Sequence, residues 1–145
     1  MRKLRLNLAM ILMSIIIIFT SGCVITIQPS NIESENQTLT FVEAKFVEWF
    51  DDKERIGLFF DYTNNSEESK SPSDGFVMGV RQNGELLDTL WVAEKINGAI
   101  TPSTIVEPGV TMRVAWLFVL RDRSPLSVIV SDGQKFTVDY EQIVS

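Results

Sequence analysis

Apolar residues in this chain recur at every second position, in short runs separated by turn dipeptides. In TMRVAWLFVLRD, from Thr111 to Asp122, Met112, Val114, Trp116, Phe118 and Leu120 alternate with Arg113, Ala115, Leu117, Val119 and Arg121. Successive side chains of a strand point to opposite faces, so the first five share a face. The second face is itself half apolar, which marks a strand inside a sheet. RIGLFFDYT repeats the pattern with Ile56, Leu58, Phe60 and Tyr62 on one side, and FVEAKFVEWF supplies another strand before it. PLSVIVSD and QKFTVDY are joined by Asp132-Gly133, and VMGVRQ and ELLDTL by Asn83-Gly84. Both dipeptides tolerate positive φ and predict hairpins. These runs make about seven short strands with a turn signal roughly every ten residues. Only around Leu90 to Ile96 is a helical spacing of apolar residues conceivable. The pattern predicts an all-β fold, an antiparallel β-sandwich, with a small barrel as the competing architecture.

The amino terminus is built differently. Arg2, Lys3 and Arg5 precede an almost unbroken apolar run from Leu8 to Phe19, and no acid falls within residues 1–22. A run of that length suits a secretion signal and is short for a spanning helix. It leads into FTSGC, and Ser21, Gly22 and Cys23 resemble a bacterial lipobox, although Thr20 stands where such motifs more often carry Leu. The resemblance implies a diacylglycerol thioether on Cys23, further fatty acylation such as palmitate, and cleavage that leaves Cys23 as the first residue. The alternative is an uncleaved signal anchor, because Val24, Ile25 and Ile27 prolong the apolar stretch. Either way the basic residues before the apolar run mark its cytoplasmic side, so the folded part faces outward from the cell membrane. The expected plan is a signal peptide at 1–22, a lipidated cysteine with a flexible tether at 23–37, and a β-sandwich domain at 38–145.

Removing the signal lowers the 13 basic residues to 10 against 19 acids, a net charge of −9. Such a surface is repelled by phosphate, which excludes nucleic acid as a partner. With one cysteine in the chain no disulfide framework exists, and a core must supply the stability.

Catalytic chemistry finds few residues. The chain has no histidine, so Ser-His and Cys-His nucleophiles and histidine zinc sites are ruled out. A carboxylate pair could run glycoside hydrolysis, with Asp51, Asp52, Glu54, Asp61, Asp74 and Glu85 available, yet most of these sit in turn-like surroundings. Lys70, between Ser69 and Ser71, has Glu67, Glu68 and Asp74 nearby, which would raise rather than lower its pKa. Weak calcium binding by the acidic loops is conceivable, but no EF-hand spacing is present. No other cofactor is expected.

A family resemblance rests on four elements: Tyr62-Thr63-Asn64-Asn65, the hairpin Gln82 to Leu87, the turn Pro108-Gly109, and the corner Leu120 to Pro125. In these the chain is similar to small Gram-positive surface lipoproteins with an immunoglobulin-like domain of unknown function. The resemblance implies an immunoglobulin-like fold and assigns no activity. Each element also has a plain role as a turn device.

Trp49 and Trp91 flank turns. Burial between the sheets is the plainer expectation for both; exposure would make them a binding surface. The strand ending in Leu120 could also offer an open edge to an extended peptide if its neighbour is short. The expected protein is therefore a non-enzymatic, membrane-anchored binding module with a protein or peptide partner. The alternatives are a carboxylate-dependent hydrolase of envelope glycans and a structural accessory of a membrane complex.

Overall fold

The computed structural model describes residues 31–92 and 95–144. The expected signal peptide, Cys23 and the first part of the tether lie outside the described residues.

Among the described residues nine strands build two antiparallel sheets. The first holds β1 (Ile32–Ser34), β2 (Gln37–Phe46), β3 (Arg55–Asn64), β7 (Thr111–Val119) and β6 (Thr89–Leu90), in that spatial order. The second holds β5 (Glu85–Leu86), β4 (Met78–Gln82), β8 (Leu126–Val130) and β9 (Gln134–Val138). Taking β2 to β9 in turn as A, B, C, C′, D, E, F and G, the sheets read A-B-E-D and C′-C-F-G. That is the immunoglobulin arrangement, with β1 added outside A. The chain crosses between sheets three times, so the sandwich, not the barrel, is the fold.

Register explains the core. β3 and β7 pair residue by residue from Arg55 opposite Val119 to Thr63 opposite Thr111, which aligns Ile56, Leu58, Phe60 and Tyr62 with Phe118, Trp116, Val114 and Met112 on one face. Facing them are Val80, Leu126, Val128, Phe136 and Val138 of the second sheet, all buried. β2 could not present one apolar face throughout, because Leu39 and Phe41 are odd-numbered whereas Ala44 and Phe46 are even. A bulge between Phe41 and Glu43 absorbs the extra residue and leaves Val42 turned outward.

The expected turns are present. Asn83 and Gly84 have φ of 49° and 83°, the two-residue turn that suits the twist of a hairpin. Its second strand is shorter than ELLDTL promises: the chain leaves β5 after Leu86 and joins the other sheet as β6.

Three expectations change. The expected tether at 23–37 is not wholly a tether, since β1 lies within it, six residues before the expected domain start at 38. Ile32, 1% exposed, is a lone apolar residue without a visible period, and the turn Glu35-Asn36 has φ of 42° and 62° without a glycine to announce it. Among the described residues the count rises from seven to nine, because β1 is too short to show alternation and ELLDTL divides into β5 and β6. The open edge on β7 is also filled. β6 covers Leu117 and Phe118, and Ile100 covers the part below, its N–H donating to Arg113 and its carbonyl accepting from Ala115.

Two buried amides hold the ends of the sandwich. Asn64 donates through Nδ2 to the carbonyls of Glu68 (2.8 Å) and Val106 (2.9 Å), and its Oδ1 accepts from the Ser66 N–H (3.0 Å). At the opposite end Gln82 donates to the carbonyls of Asp122 and Ser124, both at 3.0 Å, and accepts from the Arg121 N–H at 2.9 Å. The Tyr62–Asn65 element, the Gln82 hairpin and the Leu120–Pro125 corner are thus structural, and two of them are the halves of one joint.

Candidate binding surface

The β2–β3 connection, 47–54, carries the sequence VEWFDDKE. It opens from a strand pair that closes with the Val47 N–H donating to the Arg55 carbonyl at 2.9 Å. Arg55 starts β3 and is almost fully buried, and its guanidinium grips both oxygens of Asp51, one at 2.6 Å from Nη2. The Trp49 ring lies over the same guanidinium, 5.4 Å from its carbon, and Phe50 meets Trp49 edge-on with centroids 6.0 Å apart. Trp49 is held by a cation–π contact rather than by the core, and it stays 39% exposed while Phe50 is fully exposed.

Across from this loop the chain turns back on itself at Ile96–Ala99. Two reciprocal backbone hydrogen bonds of 3.1 and 2.9 Å close the turn, and Asn97 and Gly98 take φ of 48° and 79°. Ala99 and Ile96 pack with Ala115 on Phe59, on the outward face of the first sheet, so that face is covered locally. Gly57 permits the arrangement, because a Cβ there would stand 2.6 Å from the Phe59 ring and 3.2 Å from Val47.

Between the two loops runs an open groove of about 620 Å³, walled by Phe46, Val47, Glu48 and Trp49 on one side and Lys95, Ile96 and Asn97 on the other. Its walls carry two aromatic rings, Phe46 and Trp49, with one carboxylate and one ammonium. Neither exposed tryptophan lies between the sheets, contrary to the plainer expectation. Trp91, 77% exposed, follows the two-residue β6, whose brevity carries the chain out of the sheet before the ring can be buried. Trp116 is the tryptophan that does enter the core. Phe50 was not singled out by its sequence, since FF and WF pairs in a β-rich chain ordinarily feed the interior.

The carboxylates offered by the sequence are mostly committed. Asp61 accepts from Arg113 at 2.6 Å, Glu85 pairs with Arg121, Glu54 accepts from the Tyr140 hydroxyl, and Asp74 accepts from the Ser71 N–H at 2.6 Å. Among the described residues no three acidic or thiol side chains converge as a metal site. No described helix is long and apolar enough to cross a membrane.

Arg55 sets a pH limit on the loop. Its hydrogen bonds hold the Asp51 carboxyl at about 2, below the ordinary 3.8, with the Lys53 N–H helping and desolvation opposing. A depressed carboxyl stabilises above its ordinary pKa and loses that contribution as pH falls through the depressed one. Acidification from about 3.8 to about 2 is therefore expected to release the Asp51–Arg55 clasp and shift Trp49 emission to the red. Read in a Trp91→Phe background, the shift should already be present near neutral pH in Asp51→Asn. Identical emission from the two proteins across that range would refute the clasp.

Comparisons with known proteins bear on most of the domain. A family model described as "Domain of unknown function (DUF5067)" matches residues 25–132. No curated protein matches. A solved structure of a "putative lipoprotein" from Staphylococcus aureus subsp. aureus NCTC 8325 superimposes with a TM-score of 0.65 at 13% identity, covering 81% of this chain and 92% of the other. At that identity the likeness is one of fold.

Proposed function

This chain belongs to the DUF5067 family of domains of unknown function, and on that footing we propose that it is a membrane-anchored lipoprotein on the extracytoplasmic face whose β-sandwich acts as an interaction module. The observation that carries the binding role is the groove beside Trp49, with Trp91 exposed elsewhere on the surface. Contiguous exposed apolar surface, such as that of Trp49 and Phe50, marks interaction sites, and Trp is prominent among interface hot spots. The anchor is supported by Ser21-Gly22-Cys23 after a basic and apolar leader, and by the lipoprotein description of the Staphylococcus aureus neighbour. A protein or peptide is the partner class that fits the groove, whose aromatic rings are flanked by one charge of each sign. The acidic surface disfavours phosphate-rich polymers.

Metabolic labelling with a fatty-acid analogue tests the anchor. Wild type is expected to take up label and to have an intact mass lacking residues 1–22, and Cys23→Ala to take up none. An unlabelled wild type with an uncut amino terminus would replace the lipoprotein by a signal anchor. The binding role is tested by in-cell cross-linking from a photoreactive residue at Asn97, which should yield discrete adducts that Trp49→Ala diminishes.

A further inference from the structure

We infer that the 47–54 loop seats on the lipid bilayer, with the Phe50 ring as its point of insertion, so that the Phe46 end of the sandwich faces the membrane. The inference rests on the lipoprotein reading of Cys23, and three independent features support it.

Phe50 is fully exposed in a loop held at three residues: Asp51 by Arg55, Trp49 by the same guanidinium, and Glu54 by its carbonyl accepting from the Leu120 N–H at 2.9 Å. The ring is presented on a fixed base rather than left loose. An exposed Trp-Phe pair matches the depth preference of aromatic side chains for the headgroup region.

The heading of the chain points the same way. β1 runs antiparallel to β2 with Ile32 opposite Leu39, and the Asn31 Oδ1 accepts from the Thr40 hydroxyl at 2.8 Å, so at Asn31 the chain leads toward the Phe46 end. Ile32 is nine steps along the chain from Cys23, at most about 30 Å, and the seven steps along β2 from Leu39 to Phe46 span about 23 Å. A lipid on Cys23 is therefore able to hold the bilayer against that end.

Charge separates the two ends. Glu33, Glu35, Glu67, Glu68, Asp74 and Glu107 crowd the Asn64 end, accompanied there by Lys70. Lys53, Arg55, Arg81, Arg121 and Arg123 offset most of the acids at the Phe46 end, which are Glu48, Asp51, Asp52, Glu54, Glu85, Asp88 and Asp122, so this end is the less acidic of the two. An anionic surface repels the first end more than the second and turns the second toward itself.

The test uses the full lipidated chain carrying Trp91→Phe, reconstituted in vesicles of equal parts phosphatidylglycerol and phosphatidylcholine, with and without bromine on the acyl chains. Trp116 is buried, so bromine quenching reports Trp49. Quenching is expected, together with its loss in Phe50→Asp, whose exposed site leaves the thermal midpoint unchanged. Trp49 unquenched in a protein that carries its Cys23 lipid would overturn the seating and leave the lipoprotein reading intact. Quenching retained in Phe50→Asp would overturn Phe50 as the insertion point. Absence of lipid on Cys23 would remove the premise itself, and intact mass reads that separately.

Discussion

Replacing Phe60 with alanine is expected to lower the unfolding free energy by about 3–5 kcal/mol, the range for removing a buried aromatic ring. Phe60 is fully buried on β3, with Trp116 edge-on at 5.5 Å, Phe41 at 5.3 Å and Phe136 at 6.4 Å. Those neighbours come from β7, β2 and β9, hence from both sheets, and each is tied into its own ladder. The surrounding rings cannot all move inward, so the cavity stays open and the cost falls high in the range. For a domain whose whole stability is about 5–15 kcal/mol, this is a large fraction. The melting midpoint should drop by about 15 °C or more. Urea unfolding followed by circular dichroism measures the change. Phe60→Leu keeps most of the volume and should cost roughly half as much. A loss below about 1 kcal/mol for Phe60→Ala would mean that the sheets close over the gap, against the account of a core clamped from both sides.

Asn64→Ala is expected to cost about 3 kcal/mol by a different route. The side chain buries little apolar area, but it satisfies the carbonyls of Glu68 and Val106 and the N–H of Ser66, and the Asn64 backbone exchanges bonds with Val110 and Gly109 at 3.1 and 2.7 Å. Truncation orphans buried groups, each costing about 1–3 kcal/mol unless water reaches it. Asn64→Asp discriminates between loss of volume and loss of donors. Its carboxylate would face two carbonyl oxygens where Nδ2 stood, so it should be at least as damaging as alanine. Amide hydrogen exchange should quicken first at residues 66–70 and 106–110, the segments this amide joins. Faster exchange spread evenly over the domain would show that Asn64 acts on global stability only.

The joints explain why some motifs could be seen in the sequence without their purpose. Asn64, Gln82 and Ser124-Pro125 each read as a turn former, because a short amide or a proline near a strand end is a local signal. What Gln82 does is not local: its partners are about 40 positions away, at Asp122 and Ser124. The same limit applied to the binding surface. Trp49, Trp91 and Trp116 are chemically identical in the sequence, and alternation placed only Trp116 on a core-facing row. Trp49 is exposed because a buried arginine holds its ring, and Trp91 because β6 ends after Leu90. Phe50 carried no sequence signal, and the polar run before Thr38 hid β1 because one docked isoleucine makes no period.

Alternation of apolar residues and the Asn83-Gly84 and Asp132-Gly133 turns were enough to decide an antiparallel all-β fold, since side-chain direction in a strand and positive φ in a tight hairpin are properties of neighbours in the chain; the choice of sandwich over barrel waited on the sheet crossings. The leader and the Ser21-Gly22-Cys23 run likewise carried their expectation within a few residues. Strand order, the bulge at Phe41–Glu43, the filled edge of β7 and the groove between 46–49 and 95–97 were decided only when the sheets closed. Each depends on which segments meet across the fold, and such meetings are set by packing and backbone satisfaction over distances that no local pattern records.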